Sequence, residues 1–178
     1  MTDTAKLYGD SLYDLAETDG EKKAYLEELQ CIAGLFRQNP EYRQLLSEPS
    51  VPRRDRIGLL DEAFSEASPY VLNFLKVLVE EGIISELPGC AEEVKARYYA
   101  EFGIAEAVAT TAVALEESEA KALTEALEKR FGKQIILKNK IDPGVLGGVM
   151  VEVEGTRIDG TVKNNLDRLH EEIRKPGF

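Results

Sequence analysis

"DPGVLGGVMVEVEGTRIDGTVKNNLDRL", residues 142–169, decides how the rest of the chain is read. A glycine-rich turn leads into an alternating apolar run, then a tight turn at Glu154-Gly155, then a helical pattern. A loop that cradles phosphate would make an enzyme; a bent β-hairpin would hold together a small domain used for binding. A P-loop needs GxxxxGK[ST] between strand and helix, and a dinucleotide loop needs GxGxxG opening a helix. Both set the anion on free N–H groups at a helix N-terminus. "GVLGGV" has neither spacing, lacks a following Lys-Ser/Thr, and feeds a strand. Its glycines fit a bulge or a close backbone approach in a bent sheet, so Gly147 and Gly148 are expected to matter for folding.

Around this stretch the chain alternates between two periods. Val149, Val151 and Val153 form one predicted strand and the short "TRI" another, joined as a hairpin. A final helix carries Val162, Leu166, Leu169 and Ile173 on one stripe, with Asp159 or Thr161 as its N-cap and Gly160 between them. Upstream, "AVATTAVALEE" (107–117) alternates small and β-branched residues and predicts a strand. "ESEAKALTEALEKRFG" sets Ala120, Leu123, Leu127 and Phe131 on one helical face, with Gly132 as C-cap. "KQIILKNKI" predicts a second strand. Residues 105–178 thus form a small β-α-β-β-α unit.

Before about residue 104 the pattern is helical and broken at clear signals. Leu7, Ser11, Leu12 and Leu15 share a face before "TDG". Leu26, Leu29, Ala33 and Phe36 make the next stripe, ended by Asn39-Pro40. "EYRQLL" is a short helix, and "PRRDRIGLLDEAF" places Ile57, Leu60 and Phe64 at helical spacing behind Pro52. Ser68-Pro69 opens a fifth helix, whose Val71, Leu72, Leu75, Leu78 and Val79 cover more than half its circumference. The sixth runs from about Ser85 through Val94, Tyr98 and Phe102 to Gly103. The expected fold class is α+β: a six-helix bundle over 1–104, then the small unit over 105–178.

Composition narrows the function. The chain has 178 residues and a net charge of −11. Residues 1–104 carry 20 acidic and 11 basic groups, residues 105–178 carry 13 and 11, so the acidity belongs to the bundle. Such a surface repels nucleic acid, which needs clustered Lys/Arg. An acidic bundle suits either a basic or apolar helical partner or plain solubility. No segment approaches the length of a membrane span, and acidic residues stand where a signal peptide needs a basic start, so a cytosolic protein is expected.

Catalytic patterns are missing from the sequence. Cys31 and Cys90 share no ligand spacing and read as buried or half-buried helix residues. His170, flanked by Glu171 and Glu172, reads as a solvated helix-end residue. The carboxylate pairs Glu80-Glu81, Glu92-Glu93, Glu116-Glu117 and Glu171-Glu172 are adjacent on helices, so their side chains diverge by about 100°. No Ser-His-Asp set, HExxH or CxxC is present; no cofactor and no metal are expected.

Three segments resemble one family. Ile141-Asp142-Pro143, Leu146-Gly147-Gly148 and Ile158-Asp159-Gly160-Thr161-Val162-Lys163 follow the signature of the δ subunit of F-type ATP synthases. That family includes the mitochondrial oligomycin-sensitivity-conferring protein. "LYGDSLYDLAE", through Tyr8, Leu12, Tyr13 and Ala16, is similar to the family's first helix. "NFLKVLVEEGIISELPGCAEEVKARY" is similar to a second segment through Asn73, Phe74, Leu75, Gly82, Leu87, Pro88 and Tyr98. Gly9 and Ser11 depart from the small alanines usual in the first motif, and Asn164 and Asn165 from a small and a basic residue in the last.

The resemblance implies a non-catalytic connector in a proton-driven ATP synthase, present in single copy in a hetero-oligomer. The bundle would hold N-terminal segments of the α subunits on the catalytic head, and the C-terminal unit the end of the peripheral-stalk b subunits. The implied location is the cytoplasmic face of the bacterial cell membrane, without membrane insertion. The implied α-subunit groove lies between the first and fifth helices, at Tyr8, Ser11, Leu12, Asn73 and Val77; bundle core is the competing reading of the same residues. Against the connector stand a small nucleotide- or phosphate-binding enzyme built on the C-terminal unit and a helical adaptor outside the synthase. Saturable nucleotide binding would single out the enzyme.

Overall fold

The computed structural model describes residues 2–161 and residue 164. It divides the chain into two compact units, residues 1–101 and 102–178. The class is α+β: seven α-helices and a four-stranded mixed sheet among the described residues.

The first unit holds α1 (Asp3–Asp19), α2 (Lys22–Gln38), α3 (Pro40–Ser47), α4 (Arg53–Ala63), α5 (Pro69–Glu80) and α6 (Leu87–Phe102). A 3-10 turn, Ile84–Glu86, precedes α6 and takes up the segment at Ser85 where that helix was expected to begin. The boundaries follow local chemistry. Thr2 caps α1 by accepting from Ala5 N, and Gly20 closes it with φ 77°. Ser68 caps α5 by accepting from Val71 N, with Pro69 in the first turn.

Leu26, Leu29, Ala33 and Phe36 of α2 are buried, as are Val71, Leu75, Leu78 and Val79 of α5. The Phe36 ring stacks on Phe64 at 6.0 Å and meets the edge of Tyr42 at 5.6 Å. Removing a ring such as Phe36 from this site would cost about 3–5 kcal/mol. One expectation fails here: Cys31 is exposed, whereas Cys90 is buried as its helical position suggested. Phe102, at the end of α6, is 52% exposed.

In the second unit the sheet order is β2-β1-β3-β4. β1 (Ile104–Thr111) pairs parallel with β2 (Gln134–Ile141) and antiparallel with β3 (Val149–Val153), which pairs antiparallel with β4 (Thr156–Asp159). α7 (Glu117–Phe131) connects β1 to β2. Its N-terminus carries a capping box, Glu116 N donating to Glu119 Oε2 at 3.0 Å. Ala105, Ala107, Ala109, Ile135, Val151 and Val153 form the core with Leu127, and Leu123 and Phe131 pack against it.

β1 starts three residues before the predicted strand and ends at Thr111. Gly103, at φ 61°, turns the chain out of α6 directly into the ladder, and small alanines at alternate positions fit beneath α7. The predicted continuation through Glu117 fails because Leu115 N is taken by the Asn139 side chain at 3.0 Å, so Ala112–Leu115 leaves the sheet. Glu154 (φ 47°) and Gly155 (φ 77°) make the two-residue hairpin turn. The predicted final helix, with Val162, Leu166, Leu169 and Ile173, lies outside the described residues apart from Asn164, as do His170 and the Glu171-Glu172 pair.

Candidate binding surface

α1 buries its small residues. Ala5, Leu12, Tyr13 and Ala16 are in the core, and Gly9 lies between Leu12 and Ala5 on the same face. A β-carbon on Gly9 would come within 2.8 Å of Glu93 Cβ and 3.0 Å of the Cys90 carbonyl; one on Gly89 would come within 2.8 Å of Ala5 Cβ. α1 and α6 therefore touch backbone to backbone. With the small face inward, Leu7 (64% exposed), Ser11 and Leu15 (40% exposed) form a solvent-facing stripe at four-residue spacing. The stripe read from the sequence, Leu7, Ser11, Leu12 and Leu15, therefore divides: Leu12 is buried and the other three are exposed. Large side chains dominated that reading, whereas backbone approach governs the contact. Ser11 Oγ turns back to donate to the Leu7 carbonyl at 2.9 Å.

α5 shows the same division. Its buried residues leave Tyr70 (42% exposed), Asn73 and Val77 (42% exposed) on an outer stripe. The Tyr70 ring centroid lies 6.0 Å from that of Tyr25 on α2. Both α1 and α5 pack on α2. Of the five residues expected to form a groove, Ser11, Asn73 and Val77 are exposed and Tyr8 is half-buried against the core. Leu12 is 2% exposed and belongs to the core. Leu7, Leu15 and Tyr70 are the exposed apolar neighbours that sequence reasoning missed. The signal for them was the row Ala5, Gly9, Leu12, Ala16, which marks the opposite face as inner.

A polar clamp ties α1, α2 and α6 at one end of the bundle. Tyr13 OH donates to Glu101, and Lys22 Nζ reaches both Glu101 oxygens at 2.7 and 2.8 Å. Lys22 Nζ and Arg97 Cζ stand 5.0 and 4.7 Å from the Tyr13 ring centre. Arg97 also pairs with Asp10 and Asp14. Burial, reinforced by the Glu101 carboxylate, pushes the Tyr13 hydroxyl up to about 12. The hydrogen bonds from Lys22 and Tyr13 hold Glu101 below the usual carboxylate range.

In the second unit Gly148 has φ +81°. A β-carbon there would meet the Gly160 carbonyl at 2.5 Å and Thr161 Cα at 2.9 Å. Gly160 N in turn donates to the Val149 carbonyl at 3.0 Å. Asp159 Oδ1 accepts from Thr161 N at 3.0 Å and Thr161 Oγ1 at 2.7 Å, which lowers its pKa. Thr161 Oγ1 accepts from Asn164 N at 3.3 Å, the geometry of an N-cap. The Gly147–Gly148 turn is thus pressed against the Asp159–Thr161 turn. Among the described residues, no group of three His, Cys, Asp or Glu side chains could hold a metal ion.

These features define a class: a two-unit α+β chain, helices first and a small mixed sheet after, with apolar stripes left on outward helix faces. Comparison with known proteins names the family. The profile described as "ATP synthase delta (OSCP) subunit" matches residues 4–173, and the chain belongs to that family. The ATP synthase subunit delta of Clostridium kluyveri is 31% identical over 163 residues, 91% of this chain and 90% of the relative. That of Lacticaseibacillus paracasei is 34% identical over 166 residues, 93% and 92%. A chain in the Toxoplasma gondii mitochondrial ATP synthase hexamer shares the fold at a TM-score of 0.66 and 20% identity, over 99% of this chain and 100% of that one.

Proposed function

We propose that this chain is the non-catalytic stator connector of a bacterial F-type ATP synthase. The first unit binds N-terminal segments of the α subunits on the catalytic head; the second binds the end of the peripheral-stalk b subunits. By tying stalk to head, the protein makes rotation of the central shaft do work instead of turning the head. It acts in single copy as a peripheral subunit at the cytoplasmic face of the cell membrane. No described helix is long and apolar enough to cross a membrane, which fits a peripheral position.

The observation that carries the head contact is the pair of outward apolar stripes, Leu7–Ser11–Leu15 on α1 and Tyr70–Asn73–Val77 on α5, around a core complete without them. Such stripes suit an amphipathic helix laid along the bundle. Tyr8 sits at the inner edge of the α1 stripe. The test is calorimetric titration of the full chain with a peptide of the cognate α subunit's N-terminus. Saturable one-to-one binding, weakened at least tenfold by Val77→Asp with unchanged circular dichroism, supports the reading. No binding by the folded protein removes it.

A further inference from the structure

The second unit carries an apolar cleft of about 380 Å³ where α7 leaves the end of the sheet uncovered. Its floor includes the last row of the ladder, where Thr111 of β1 pairs with Val149 of β3. One wall is Leu115 with Leu123 of α7; the other is the Gly147–Gly148 main chain. Val113 stands at the mouth and is 73% exposed. On the other side of Thr111, its β2 partner Ile141 is 55% exposed, and Leu146, next to the glycine wall, is 85% exposed. Leu146 faces a separate hollow with Met150 and Arg157, so the exposed apolar surface at this end of the ladder is Val113 at the cleft and Ile141 one strand over.

The loop that presents Val113 is fixed. Thr111 Oγ1 donates to the Val113 carbonyl at 2.6 Å and accepts from Asn139 Nδ2 at 2.8 Å. Asn139 Nδ2 also donates to the Ala109 carbonyl at 3.0 Å, and Asn139 Oδ1 takes Leu115 N at 3.0 Å. Thr111 itself is 4% exposed. A solvent-facing valine on a loop pinned at both ends loses little entropy when a partner covers it. Glu119 is the one charged residue lining the cleft, and Glu116 and Glu117 stand just before it at the α7 N-terminus. An apolar floor inside an acidic rim is complementary to a helix whose apolar stripe is bordered by Lys or Arg.

We propose that the Val113 cleft is where the second unit receives a basic amphipathic helix from the peripheral stalk. The inference rests on the stalk-binding reading of that unit and adds its location: the open end of the β1–β3 ladder, with Val113 as anchor and the α7 N-terminus as the acidic rim.

The test uses the full chain titrated with the soluble part of the cognate b subunit, with affinity read by calorimetry and folding by thermal melting. Val113→Asp is expected to weaken binding at least tenfold without lowering the melting temperature. Glu117→Gln should weaken it about twofold at low salt and not at high salt. Leu45→Asp, on the exposed face of α3, is the control. If Val113→Asp proves unstable, Val113→Ala replaces it, with about a threefold loss expected. Wild-type affinity in a folded Val113 variant overturns the cleft and leaves the stalk reading standing. Absence of binding by the wild type overturns both. Concentration-dependent self-association abolished by Val113→Asp would assign the cleft to a second copy and overturn the proposal.

Discussion

Gly9 of α1 lies against Glu93 of α6 so closely that a β-carbon on the glycine would stand 2.8 Å from the Glu93 β-carbon. Gly9 stands where the resembling motif has a small alanine and lowers helix propensity, yet here it lets two helices meet at their backbones. Gly9→Ala should gain about 1 kcal/mol of propensity and lose about 1–3 kcal/mol to overpacking against atoms that cannot swing away. We expect a net destabilisation of about 1 kcal/mol, measured by urea unfolding. A stabilised Gly9→Ala protein would mean that α1 and α6 separate at no cost.

Gly148 is constrained twice, by φ +81° and by the Gly160 carbonyl 2.5 Å from a β-carbon. Gly148→Ala should destabilise the second unit by about 2–4 kcal/mol. Gly155 has a similar φ of +77° but open space around it. Gly155→Ala should cost only about 1 kcal/mol. Hydrogen exchange at β1 and β3 amides would separate the two.

The Tyr13–Glu101–Lys22 clamp makes stability depend on pH. Glu101 has a folded pKa below its ordinary 4.5. Its contribution is fully present above 4.5 and is lost as pH falls through the lower folded value. Between pH 6 and pH 3, the melting temperature of the wild type should fall more steeply than that of Glu101→Gln. Parallel curves would show that the clamp is not formed in solution. Tyr13→Phe keeps the ring beside both cations and loses one hydrogen bond, about 1 kcal/mol.

The cysteines should differ in reactivity. Cys31 is exposed, whereas Cys90 is buried and pushed up to about 11 by burial and by Glu86. A thiol reagent at pH 8 should label one cysteine per native chain, at Cys31, and the second only after unfolding. Rapid labelling of Cys90 in native protein would reveal opening between α6 and α1.

Leu12 and Val77 should respond in opposite ways to the same change. Leu12→Asp places a charge in the core, where Leu12 is 2% exposed, and should unfold the bundle. Val77→Asp, on the outer face of α5, should leave the melt within about 0.5 kcal/mol of the wild type.

Helix by helix, the sequence was informative wherever large apolar side chains and breakers marked the pattern. Leu26–Leu29–Ala33–Phe36 and Val71–Leu75–Leu78–Val79 point inward as their spacing predicts. The inner face of α1 was only partly legible because it combines Leu12 and Tyr13 with Ala5, Gly9 and Ala16, small residues that score low on hydrophobicity yet permit the nearest approach. β1 was misplaced for a related reason: "IAEAVATT" is alanine-rich and follows a helix, so only the left-handed turn at Gly103 marks where the ladder starts. The Val113 cleft was invisible because its loop is held by the Asn139 side chain, which bonds Ala109, Thr111 and Leu115, residues 24 to 30 positions away.

One covalent detail bears on mechanical strength. Only Gly103 stands between the last residue of α6 and the first of β1, and β1 is an inner strand of the sheet. Any load that reaches the second unit through α6 meets β1 first, and β1 is bonded to β2 over its whole length and to β3 from Ala107 to Thr111. A protein whose proposed task is to stand still under torque thus hands its load to the most thoroughly bonded strand it has.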